Sequence, residues 1–186
     1  MQRELVRRAI EGDREAFSEL MSASASRQYA VATLILRDGS RAQDAVQEAF
    51  VSAWKGMNAL RDPDAWDAWL HRLTVRACFR SVRHEKRRRQ VELRALPDPE
   101  PGKPDESLAA LVQRDQLERE LGRLPIEQRA VIVLRFFVDL PLDEVADILD
   151  IPIGTAKSRQ HRGLEAMRSS MSEPDTSQIP AMERAI

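Results

Sequence analysis

Apolar residues recur at intervals of three and four along most of the chain: Leu5, Ala9, Phe17 and Leu20; Val46, Phe50, Ala53 and Trp54; Trp66, Leu70, Leu73 and Ala77; Leu117, Leu121 and Leu124. Such spacing lines one face of an α-helix and leaves the other polar. Strict alternation, the mark of a half-buried strand, is scarce. The β-branched run Val131-Ile132-Val133 sits inside a longer helical pattern. The pattern predicts an all-α fold. One stretch breaks it decisively: Leu96 to Glu106 holds four of the ten prolines and cannot continue a helix. The chain therefore reads as a helical unit over 1–94, an acidic proline-rich linker over 95–107, a second helical unit over 108–171 and a polar, flexible tail over 172–186.

Charge changes this picture more than composition does. The formal net charge of the 186 residues is only −1, yet residues 61–94 carry ten basic and five acidic side chains, and residues 95–150 carry six and thirteen. A positive band followed by a negative one points to polyanion binding by part of the chain. Chemistry of other kinds finds no support. The single cysteine, Cys78, excludes an internal disulfide and reads as a small core residue. His71, His84 and His161 have no partner at metal-ligand spacing, so no metal or cofactor is expected. Gly154-Thr-Ala-Lys-Ser158 lacks the glycine before the lysine of a phosphate loop, and no strand precedes it. An enzyme is not indicated. No apolar run approaches the roughly 20 residues that span a bilayer, and the N-terminus is charged throughout. No membrane insertion and a cytoplasmic setting are the expectation.

Two segments carry the functional signal. Asp62-Pro63 is a helix start, with Asp as N-cap and Pro in the first turn. Beyond it, eight basic residues and one acid, Glu85, lie between Arg72 and Arg89. Arg72, Arg76, Arg80, Arg83 and Arg87 recur at three- and four-residue intervals and form one stripe beside the apolar one. Guanidinium groups so arrayed repel each other, and phosphates relieve that repulsion. Trp54, Trp66 and Trp69 fall close to this stripe. Stacking on unpaired bases is one use for such rings, while Trp66 and Trp69 also fit the helical core. Farther on, the amphipathic segment Leu142 to Leu149, with Val145, Ala146 and Leu149 inward, is broken at Asp150-Ile151-Pro152. A second helix follows from Ile153. That is helix-turn-helix spacing, whose second helix enters the major groove. Thr155, Lys157, Ser158, Arg159 and Arg162 supply groups suited to phosphates and base edges.

Taken together, the segments resemble a known family. Arg41-Ala-Gln-Asp-Ala-Val-Gln-Glu-Ala-Phe-Val-Ser-Ala-Trp54 resembles the polymerase-binding segment of bacterial sigma factors, and Trp69-Leu-His-Arg-Leu-Thr-Val-Arg76 their promoter-melting helix. Leu124-Pro-Ile-Glu-Gln-Arg-Ala-Val131 and Gly154-Thr-Ala-Lys-Ser-Arg159 resemble the C-terminal sigma domain. In this order, divided by the linker, they make the chain similar to an extracytoplasmic-function (ECF) sigma factor, the type with only two conserved sigma domains.

The resemblance implies that Asp44, Gln47, Glu48 and Phe50 face core RNA polymerase at its largest subunit. It implies that the loop Met57 to Asp64 and the helix behind it open promoter DNA near the −10 element, with Arg72, Arg76, Arg80, Arg83 and Arg87 on that DNA. The helix from Thr155 to Arg162 would read the −35 element while its domain sits on the other large subunit. An anti-sigma factor is the further partner the family implies. Asp98, Glu100, Asp105 and Glu106 would suit a basic channel built for RNA. The free chain is expected to pack its two units together and cover its DNA-binding surfaces. Two other readings stand beside this one. A stand-alone helix-turn-helix regulator would bind an operator without polymerase, and an adaptor would show no promoter specificity.

The sequence departs from the family at several positions. Arg76 and Arg80 stand where Asn and Asp are common, which makes the helix more basic than usual. Pro141 replaces a common Ser cap, and Pro is compatible with a helix start. Ala156 and Gln160 replace the commoner Val and Leu, so an apolar stripe carries an amide. Gln160→Leu is therefore expected to raise the thermal midpoint, measured by circular dichroism; a lowered midpoint contradicts the assignment.

Overall fold

The structure, a computed structural model, describes residues 1–92 and 110–172; the calls on the acidic linker and on the tail beyond Ser172 lie outside these residues. Among the described residues every regular element is helical. The order is α1 (Gln2–Ile10), α2 (Arg14–Leu36), α3 (Gly39–Gly56), two 3-10 turns (Met57–Ala59 and Pro63–Ala65), α4 (Trp66–Glu92), α5 (Ala110–Arg123), α6 (Ile126–Ile132), α7 (Leu142–Leu149) and α8 (Ile153–Ser172). A π-helical turn, Val133–Phe137, continues α6.

Local chemistry sets the boundaries. Gly12, at φ +98°, ends α1 in a conformation that only glycine adopts freely. Asp13 then caps α2, accepting from the Glu15 and Ala16 amides at 2.9 and 3.1 Å. Those bonds, the Ala16 amide foremost, and the Arg8 guanidinium hold the Asp13 carboxyl below its ordinary range. The Leu5-to-Leu20 pattern is thus shared by two helices. Arg37, at φ 59°, closes α2, and Asp38 caps α3 through the Arg41 amide at 3.0 Å. Asp62 caps the short turn that leads into α4, as the sequence predicts.

Packing divides into a core within the first half, a core shared by both halves and a small cluster of Leu121, Leu124, Ile132 and Met167 in the second half. The first gathers Val6, Ala9, Leu20, Met57, Leu60, Trp66 and Leu70. The second joins Val31 and Ile35 of α2, Ala45 of α3 and Val75, Ala77 and Cys78 of α4 to Val131, Leu134, Val138, Val145 and Ile148. Cys78 is fully buried there, and burial pushes its thiol up to about 12, which fits an inert core residue. Polar ties cross the same junction. Arg129 donates to the carbonyl of Ile35 at 2.6 Å and to those of Gly122 and Leu124 at 3.0 and 2.8 Å. Burial lowers its pKa to about 10. Arg27 donates to the Val138 carbonyl at 3.1 Å, and Arg37 pairs with Glu118 at 3.2 Å. Each buried aliphatic side chain contributes about 1.5–3 kcal/mol, against roughly 0–1 kcal/mol for an exposed ion pair. Apolar burial holds the halves together, and the polar groups fix their register.

Three expected core positions differ. Trp54 is 40% exposed and meets Phe17 edge-on, with ring centroids 4.8 Å apart. Ala42, Ala45, Ala49 and Ala53 take the inner line of α3, and Trp54 lies one step round the helix from it. Leu117 is 52% exposed, and burial sets in only after it, at Glu120 and Leu121 in the last turn of α5 and at Leu124 beyond it. In α7 Ile148 takes the deep position and Leu149 packs only at the margin. The π-helical turn sends Phe136 and Phe137 outward while Val133, Leu134 and Val138 stay buried.

His71, on α4, is buried with no hydrogen-bond partner at Nδ1. Desolvation, aided by the Arg27 guanidinium, depresses its pKa from 6.5 to about 4 against the pull of Asp67. Between those values the unfolded chain binds the extra proton, so stability is full above pH 6.5 and declines toward pH 4. The urea midpoint is expected to fall between pH 7 and pH 5, and to fall less in His71→Leu; equal falls contradict the burial of a neutral imidazole.

Candidate nucleic-acid interface

The arginine stripe of α4 faces α7 and the start of α8. Arg72 donates to the main-chain carbonyl of Asp147, in the last turn of α7. A cleft of ≈ 480 Å³ opens beside it between the loop before α4 and α7, with Trp69 and Arg72 on one side and Glu144 and Asp147 on the other. Asp62 and Asp64 line it too. A second cleft, ≈ 420 Å³, brings Arg76, Arg80, Arg83 and Arg159 together with Glu127 and Asp150. Arg87 lies beyond it, exposed. Arg80 is also paired to Glu48 at 2.7 Å, which ties a residue read as DNA-binding to one read as polymerase-binding. Trp66 is buried and Trp69 half-buried, their rings 5.7 Å apart.

The helix-turn-helix forms where the sequence places it. Asp150, at φ 56°, ends α7 in the left-handed region, and the Ile151 amide bonds back to the Ala146 carbonyl at 3.0 Å. The carbonyl of Pro152 accepts from the Thr155 and Ala156 amides and starts α8. The inner line of α8 runs through Ala156, Gly163 and Met167, with Gln160 half-buried on it. A Cβ at Gly163 would come 3.2 Å from Cγ1 of Ile132, so this glycine lets α8 lie close on α6. Lys157 and Arg162 are exposed, while Thr155, Ser158 and Arg159 are half-buried. The Ser158 hydroxyl donates within the helix to the Thr155 carbonyl at 3.0 Å. Ile153, 43% exposed at the start of this helix, escaped the sequence reading. An apolar side chain there suits a thymine methyl.

On α3, Asp44, Gln47 and Glu48 share an exposed face, while Phe50 is half-buried between the two cores. Val51 and Trp54 continue that exposed face and were not singled out as contacts from the sequence. An outward Val and Trp on a helix with a well-filled inner line is the signal that identifies such a face. Among the described residues no cluster of side chains is arranged to hold a metal ion, and no helix is long and apolar enough to cross a membrane.

Comparison with known proteins sets these surfaces in a family. Residues 20–88 match Sigma-70 region 2, and residues 121–169 match Sigma-70, region 4. The chain is 33% identical over 157 residues to the ECF RNA polymerase sigma factor SigM of Mycobacterium tuberculosis, spanning 84% of this chain and 77% of that protein. It is 25% identical over 176 residues to the ECF RNA polymerase sigma factor SigW of Bacillus subtilis, spanning 89% and 94%. In fold it is similar to the sigma factor RpoE of Bartonella quintana, solved in complex with the anti-sigma factor NepR. The TM-score is 0.69 at 21% identity, over 83% of this chain and 96% of that one.

Proposed function

The chain belongs to the ECF RNA polymerase sigma factors of the sigma-70 family, and from that premise we propose how its surfaces divide the work. It is a non-enzymatic initiation factor, and the finer assignments follow from the placement of its side chains. The exposed face of α3, Asp44, Gln47 and Glu48 extended by Val51 and Trp54, docks on the largest subunit of core polymerase in the cytoplasm. An outward tryptophan and valine edged by an amide and carboxylates match the apolar centre and polar rim of a protein-binding patch. Phe50, packed inward, holds that face in shape.

The basic side of α4 takes promoter DNA near the −10 element. Arg72, Arg76, Arg80 and Arg83 neutralise phosphate there, and the half-buried Trp69 beside Arg72 offers a ring to an unpaired base. Arg87 extends the track. From α8, Lys157 and Arg162 approach the −35 element with Ile153, joined by Thr155, Ser158 and Arg159 once that helix meets the groove. The second large subunit carries this half, and an anti-sigma factor is the natural antagonist, as NepR is for its RpoE.

The observation that carries this reading is the convergence of four guanidiniums, Arg76, Arg80, Arg83 and Arg159, from the two DNA-facing helices upon one cleft. A stand-alone regulator would have no need of the exposed α3 face. The test is size exclusion of the purified chain with sigma-free bacterial core polymerase. Co-elution at one-to-one stoichiometry is expected, and its loss in Asp44→Ala/Gln47→Ala, two exposed positions whose truncation leaves the core intact. Absence of co-elution together with specific duplex binding by the free chain would move the assignment to a stand-alone helix-turn-helix regulator.

A further inference from the structure

We propose that an apolar groove between α2 and α5 is the seat of the chain's own segment 179–186, which docks there through Ile179, Met182 and Ile186. The groove is built from other residues than the faces of α3, α4 and α8 assigned above to polymerase and DNA.

The groove, ≈ 450 Å³, has α2 on one side and α5 with the π-helical turn on the other. Tyr29, Leu117, Phe136 and Phe137 line it, each 44% to 53% exposed. They are four of the eight large apolar side chains that stay exposed among the described residues. Single apolar residues on a surface are ordinary, but four gathered round one concavity mark a place where something binds. Leu121 and Ile132 line it as well, and both belong to the small cluster that α8 completes with Met167. The groove is thus continuous with the packing of α8, the helix that segment 179–186 follows. It also straddles the junction, because α2 belongs to the first half and α5 to the second. It exists only while the halves share a core, so parting them releases whatever is seated there.

Reach and composition select the occupant. Arg123, the last residue of α5, bonds to the Ser170 hydroxyl, which sets the end of α8 beside the end of α5. From there back along α5 to Leu117 is about 9 Å at 1.5 Å per residue. Residues 173–178, when extended, span about 20 Å. They hold Pro174 and no large apolar residue, which suits a spacer. Then Ile179, Met182 and Ile186 follow at intervals of three and four, the spacing of one helix face, and Pro180 suits its first turn. A methionine sulfur makes favourable contacts with aromatic rings such as Phe136 and Phe137. A short tether also raises the effective concentration of the segment to the millimolar range, so a small apolar contact is enough to seat it. The linker is the other candidate, but 97–107 holds no large apolar residue to bury.

The test places a nitroxide on Arg184→Cys in the full chain, where Cys78 is buried and stays unlabelled. Position 184 lies opposite Ile179, Met182 and Ile186 on a helix, so the label leaves the docking face free. Amide signals of the isotope-enriched chain are then compared with the nitroxide oxidised and reduced. Loss of the Leu117 and Phe137 signals is expected, with those of Val6 in α1 intact. Ile179→Ser/Met182→Ser, which touches no residue of the described cores, should restore the lost signals. Phe136→Ser/Phe137→Ser should restore that of Leu117 from the other side of the contact. No selective loss at the groove, or a loss that survives the Ile179→Ser/Met182→Ser change, overturns the proposal. So does the same loss in an enriched, unlabelled chain mixed with a spin-labelled, unenriched one, because the occupant is then a second copy.

Discussion

Burial of one apolar surface between the two halves governs everything else in this molecule. Val31 and Ile35 from α2 and Val75 from α4 share one buried cluster with Val131, Leu134, Val145 and Ile148 of the second half. Several side chains at about 1.5–3 kcal/mol each outweigh the hydrogen bonds across the junction, which contribute about 1 kcal/mol apiece. Once that surface is shared, the positions of α7 and α8 follow. So does the placing of the arginine stripe of α4, whose Arg72, Arg76, Arg80 and Arg83 line the clefts against α7 and α8 while Arg87 lies beyond them.

A sigma factor has opposite demands on such a surface. It must be stable alone, yet its two DNA-facing helices must reach promoter elements well apart. The α3 face with Asp44, Gln47, Glu48, Val51 and Trp54 is open in the closed chain; along the α4 stripe Arg76, Arg83 and Arg87 are exposed too, while Arg72, Arg80 and Arg159 are half-buried. The Arg80–Glu48 pair lies where these two surfaces meet, half-exposed on both sides. Its strength is modest, so it breaks readily when either surface is engaged.

Much of this was legible in the sequence. The limits of α7 and α8 are set by purely local signals: a left-handed Asp150, a proline at 152 and an apolar stripe of the right period. The caps at Asp13, Asp38 and Asp62 are likewise written in neighbouring residues. The charge bands were visible, but not that one would lie on the other. The periodicity of α4 marks Leu70 and Ala77 as inward but not Val75, which lies on the opposite side of the helix and enters the core shared with α7. Trp54 and Leu117 were misplaced for a related reason: a large apolar residue at the edge of a stripe goes inward only if the facing element is broad enough to cover it. The π-helical turn after Ile132, which exposes Phe136 and Phe137, depends on one extra residue per turn that no local motif announces.

The two halves share a core in the free chain, and the proposed function requires them to part on promoter DNA. Spin labels at Glu11→Cys and Glu165→Cys, two exposed positions in opposite halves, leave the buried Cys78 untouched. Pulsed dipolar spectroscopy then compares the free chain with its complex of core polymerase and promoter DNA. A single, narrow distance is expected in the free chain and a longer one in the complex. The same distance in both states, or a broad distribution in the free chain, would contradict it.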